Sequence, residues 1–93
     1  MYSEQFQLFD RAIIMTFSDD PKVQDEGIKI LEDTFYERAV ALLFIGEVYE
    51  KRFWFDGQEE NARMAINKFR QVLAIDDCSF FLKKRIAKLE EKL

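Results

Sequence analysis

The run Ala39-Val40-Ala41-Leu42-Leu43-Phe44-Ile45-Gly46 contains no polar side chain. A helix built from it is apolar on every side, and such a helix must be covered from more than one direction. The run is far too short to cross a bilayer. It therefore predicts the central helix of an all-α domain, with neighbours packed on both flanks.

Periodicity and stop signals supply those neighbours. A first helix is expected from about Ser3 to Phe17, with Phe6, Phe9, Ile13 and Phe17 on one stripe. Asp19-Asp20-Pro21 ends it. Asp20 is placed to cap a second helix, because its carboxylate can accept from free backbone N–H groups, and Pro21 suits the first helical position. That helix runs to about Thr34, with Val23, Gly27, Ile30 and Leu31 on its apolar face. A mid-helix glycine costs roughly 1 kcal/mol against alanine, which suggests close contact with a neighbouring helix. The central helix spans about Glu37 to Phe53, with Leu42, Ile45, Gly46, Tyr49 and Phe53 as its main stripe. Asp56-Gly57 is the next turn, glycine supplying a left-handed conformation. A fourth helix, about Glu59 to Ile75, carries Ala62, Ala65, Ile66, Phe69, Val72 and Leu73. A fifth, about Ser79 to Leu93, places Leu82, Ile86, Leu89 and Leu93 at heptad-like spacing. Strand alternation is absent, and short loops between helices imply antiparallel neighbours.

The chain has 93 residues, enough for one domain. Ten phenylalanines supply a large buried area for few flexible torsions. Cys78 is the single cysteine, so an internal disulfide is impossible and a reducing, cytoplasmic setting is expected. Met1-Tyr2-Ser3-Glu4-Gln5 has no basic cluster before an apolar run, so no signal peptide is expected.

Chemistry has little to work with. There is no histidine, which removes the commonest general base and transition-metal ligand. Cys78 therefore has no imidazole to activate it, and an ordinary interhelical thiol is the simpler reading. Glu59-Glu60 and Asp76-Asp77 sit at helix boundaries and read as capping acids. Asp19, Asp20 and Asp25 lack calcium-loop spacing. No enzyme, metal site or cofactor is expected.

The charge is two-ended. Residues 1–62 carry fourteen acids and six bases, a net of −8, whereas residues 63–93 carry eight bases and four acids, a net of +4. The acidic part should repel nucleic acid and attract basic proteins. Lys83-Lys84-Arg85 with Lys88 makes one face of the last helix basic, and without interleaved aromatics it reads as a solvated face. Phe53-Trp54-Phe55 cannot all face one core. Trp54 or Phe55 must point over the loop or toward a partner, and tryptophan is enriched at interface hot spots.

The stretch Ala41 to Tyr49, followed by Ala65-Ile66-Asn67-Lys68-Phe69, resembles the core of a tetratricopeptide-like (TPR or Sel1-like) helical hairpin. Ile45-Gly46 and Tyr49 match the family's first helix in spacing, and Ala65 and Phe69 match its second. Val72 stands where the family prefers alanine and Asp77 where it prefers proline, and the interval from Tyr49 to Ala65 is longer than usual. Gly27 and Leu31 stand like Ala65 and Phe69, so a degenerate earlier unit is implied. The organisation expected is a first hairpin over 1–36, a TPR-like hairpin over 37–77 and a capping helix over 78–93. The resemblance implies a protein-binding adaptor or small chaperone. Its concave surface would be lined by Val40, Leu43, Glu47, Glu50 and Lys51, with Trp54 and Phe55 beside it, and Glu47 and Glu50, three apart on one helical face, would form a solvated acidic surface. The family's carboxylate clamp is not reproduced, because Leu43 and Glu47 occupy its positions. A basic or amphipathic protein partner is expected, with no nucleic acid and no membrane. A homodimer through Leu82, Ile86, Leu89 and Leu93 is the alternative use of the last helix. A second function class also fits the size and acidity: an immunity protein or antitoxin that plugs a basic toxin.

Overall fold

The computed structural model describes residues 4–36, 38–76 and 80–93, apart from the side chains of Gln5 and Phe6. Cys78, with Asp77 and Ser79, lies outside the described residues. The fold is all-α: α1 (Glu4–Thr16), α2 (Pro21–Thr34), α3 (Ala39–Asp56), α4 (Glu59–Ile75) and α5 (Phe80–Glu90).

Local chemistry sets the boundaries. Asp20 caps α2 by accepting from the Lys22 amide at 2.9 Å, with Pro21 at the first position. Gly57 adopts φ 72° and its amide donates to the Phe53 carbonyl at 2.7 Å. That left-handed residue, and not the aromatic run, ends α3. The helix therefore runs three residues further than the sequence suggests, and Trp54 and Phe55 belong to it. Asp56 then accepts from the Gln58 amide at 2.9 Å and from the Asn61 side chain, which ties the turn to α4.

Consecutive helices are antiparallel. Phe9 meets Phe35 while Gly27 lies against Ala12 and Met15, which reverses α2 on α1. Asp56 pairs with Asn61 while Gly46 meets Phe69, which reverses α4 on α3. Alternate helices are parallel. Arg38 stacks over Phe9 and, further along both helices, Phe44 meets Phe17. Arg85 reaches Glu47 and Glu50, and Lys88 reaches Trp54. So α1, α3 and α5 point the same way, and α2 and α4 the other. The molecule measures 44 × 31 × 17 Å, a slab about two helices thick.

The apolar run is covered from two sides, as its composition requires. Ala41, Ile45 and Val48 join Ala12, Ile28, Leu31 and Phe35 in one core. Leu42 and Phe53 join Ala65, Ile66, Phe69, Val72, Leu82, Ile86 and Leu89 in the other. Half-buried Tyr49 borders both. Gly46 allows the close approach of α4: a Cβ there would lie 2.6 Å from Phe69 Cε1. Polar ties cross between the hairpins. Arg52 of α3 bonds Gln24 and Asp25 of α2 at 3.0 and 2.7 Å, and Lys68 of α4 pairs with Glu32 of α2 at 3.4 Å.

The last helix lays its apolar stripe on α4. Leu82, Ile86 and Leu89 are 4%, 7% and 0% exposed within their own chain. Leu93, beyond the end of α5, is the member of that set left open. Three of the four residues of the expected homodimer surface are thus used within the chain in covering α4. Among the described residues, no helix is long and apolar enough to cross a membrane.

Candidate functional site

Three parallel helices leave a groove between them. Two faces of α3 are used by the two cores, and the third turns outward between the end of α1 and the middle of α5. Phe44, which the all-round apolar run supplies to this face, packs edge-on against Phe17 at 5.6 Å. Val48 and Trp54 continue the surface along α3, giving an opening of ≈ 360 Å³ bounded by Thr16 and Arg85. Phe17 is 59% exposed and Trp54 46% exposed. Thr16 is buried, and its hydroxyl donates to the Ile13 carbonyl at 2.6 Å.

Arg85 dominates the electrostatics. Its guanidinium reaches across from α5, donating to Glu47 at 3.1 Å and to Glu50 through both Nε, at 2.9 Å, and Nη2. The same group stacks over the Phe69 ring, 4.7 Å from its centroid. One side chain thus joins α3, α4 and α5. Burial, the largest single influence, disfavours the Arg85 cation, but the hydrogen bonds and charges of Glu50 and Glu47 outweigh it. Its pKa is held above the ordinary arginine value, so Arg85 remains cationic.

This placement corrects two expectations. Glu47 and Glu50 do not form a free, solvated acidic face, because both carboxylates are engaged by Arg85. Arg85 does not belong to a solvated basic face, because it turns inward while Lys83, Lys84 and Lys88 remain exposed. Formally, the Glu47, Glu50 and Arg85 trio carries −1, and Lys51 brings the groove lining to zero.

Of the residues expected at a binding surface, Glu47, Glu50, Lys51 and Trp54 line the groove together. Leu43 instead packs, half-buried, against the core shared by α3, α4 and α5. Val40 is exposed on the first turn of α3, and Phe55 is 93% exposed outside the groove lining. Trp54 tilts against Phe53 at 5.0 Å and lies under Lys88 at 6.0 Å.

Phe17, Phe44, Val48 and Arg85 escaped the sequence reading of the site. Arg85 was signalled by its spacing, three residues after Leu82 and four before Leu89, which sets it at the border of the buried stripe. Phe44 was signalled by the all-round apolar run, whose third face has no helix left to cover it.

Among the described residues, no group of three or more acidic or cysteine side chains is assembled to hold a metal ion. Every buried side-chain nitrogen and oxygen among them has a hydrogen-bond partner. What the groove offers is apolar and aromatic area on rigid helices, with charges fixed at its edge. Comparison with protein-family models, curated proteins and solved structures gave no match for this chain.

Proposed function

We propose that this chain is a non-enzymatic protein-interaction module of TPR-like helices, an adaptor or small chaperone, and that it seats an amphipathic segment of its partner in the groove between α1, α3 and α5. The observation that carries this is the half-open aromatic surface formed by Phe17, Phe44 and Trp54. Such area, concave and held on helices braced from behind, suits a few large apolar anchors of a partner. The TPR-like reading gains support from the alternation of parallel and antiparallel helices and from Gly46 set against Phe69. The immunity-protein reading rests on small size and net acidity, and Glu47 and Glu50 add no free carboxylate to it because Arg85 engages both. A cytoplasmic setting is proposed on the lone cysteine.

Site-specific photocrosslinking tests the surface. A crosslinker at Phe44 or Lys51 should capture a defined protein, and one at Arg63 on α4 should not. Equal capture at both positions, or capture only from Arg63, moves the binding face elsewhere.

A further inference from the structure

The charges around the groove divide into those already satisfied and those still available. Glu47 and Glu50 are satisfied by Arg85. Lys51, Lys84 and Lys88 form no ion pair among the described residues. Lys51 lines the groove. Lys88 lies over the Trp54 ring, and Lys84 is one turn before it on the same side of α5, over Phe80 at 4.8 Å. Lys51 and Lys88 therefore flank the tryptophan end of the groove, while the Lys84 ammonium lies back toward Phe80. They also belong to the segment whose net charge is +4, apart from Lys51.

From this juxtaposition we infer that the groove takes an acidic amphipathic helix: apolar side chains on Phe17, Phe44 and Trp54, and flanking carboxylates toward Lys51 and Lys88. The inference rests on the groove being the binding face, and adds the charge of the partner. A basic segment would meet unpaired lysines, and it could reach Glu47 or Glu50 only by displacing Arg85. Like charges set against one another across an interface are strongly disfavoured. An acidic segment meets neither obstacle. Exposed ion pairs contribute little singly, about 0.2–1 kcal/mol each. These two act on selection between partners and on encounter rate, with the aromatic area supplying the affinity.

The test is a displayed library of short helices that share one apolar stripe and carry randomised flanking positions, panned against the full chain. Expected is enrichment of Asp and Glu at the flanks. Synthetic peptides from the enriched pool, made without tryptophan, should change the fluorescence of the single tryptophan, Trp54. They should bind a Lys51→Gln/Lys88→Gln double variant about tenfold more weakly, and the loss should shrink as salt is added. Circular dichroism establishes that the variant is folded. Enrichment of Lys and Arg, or flanks indifferent to charge, overturns the acidic assignment while leaving the groove as the binding face. Failure to enrich any amphipathic sequence, or enrichment that Phe44→Ala and Trp54→Ala leave untouched, overturns the groove itself.

Discussion

A guanidinium that stacks on the ring of one helix and hydrogen-bonds two carboxylates of another couples both to its own. Arg85 does this to Phe69, Glu47 and Glu50. Replacing it with methionine keeps the apolar stem but strands two carboxylates against an apolar wall. The pairs are partly solvated, with Arg85 31% and Glu50 14% exposed at the side chain. The cost should therefore sit below that of a fully buried pair, at about 1–2 kcal/mol. Urea melts should show this, and Glu50→Gln in the Arg85→Met background should recover part of it. Additive losses would mean the two groups act separately. Gly46 bears on the same ring from the other helix. Alanine there gains up to about 1 kcal/mol of helix propensity, but its Cβ would lie 2.6 Å from a fully buried phenylalanine. Overpacking of about 1–3 kcal/mol should win. An unchanged denaturation midpoint for Gly46→Ala would show that Phe69 can yield. Tyr49 gives the residue scale a pH signature. Burial, and then the charge of Glu32, push its phenol above the ordinary value, against the pull of Arg52. The neutral phenol is thus favoured by folding. That contribution is complete below the unfolded value of about 10 and is lost as pH rises through the higher folded value. Thermal melts across this alkaline range should fall more steeply for the native chain than for Tyr49→Phe. Parallel curves would contradict it.

At the scale of elements, α5 has two tasks: it covers the open side of α4, and it forms one wall of the groove. Ending the chain after Asp76 would uncover Val72, Ile66 and Phe69, now 7%, 5% and 0% exposed. A terminal helical unit has to hide its apolar edge. Sedimentation of the shortened protein should show self-association, or its circular dichroism should show unfolding. A monomer with native melting would make α5 dispensable. The capping role was legible in the heptad-like leucines, because burying a stripe beside a short loop leaves few geometries. The helices themselves were legible for a similar reason: Asp20-Pro21 and Gly57 act within a turn of where they stand. The wall of the groove was not legible. Glu47 and Glu50 read as a free acidic face because their partner is 35 or more positions away. Only the parallel setting of α5 on α3 shows that Arg85 reaches them. The expected end of α3 at Phe53 falls three residues short of the Asp56-Gly57 turn that does end it. Gly57 ends the helix by adopting a left-handed conformation that costs glycine little.

Across the whole molecule, stability has a centre and two ends. The helix α3 belongs to both cores, α1 and α2 to one, and α5 to the other. A stack held by neighbour-to-neighbour contacts loses structure first at its termini, where each unit has a neighbour on one side only. Hydrogen exchange should therefore be slowest through the middle of α3, around Leu42 to Val48. It should be slowest also at the facing part of α4 near Phe69, and faster in α1 and α5. The order has a functional consequence. The groove floor, on α3, stays rigid while its walls on α1 and α5 open more readily, so a partner can enter without disturbing the centre. The Arg85 bridge is what ties the α5 wall to the floor. In Arg85→Met, exchange should quicken selectively in α5 while the α1–α2 hairpin keeps its native rates. Uniform acceleration along all five helices would show instead that the two cores unfold as one unit. The bridge would then report global stability, with no separate hold on the groove wall.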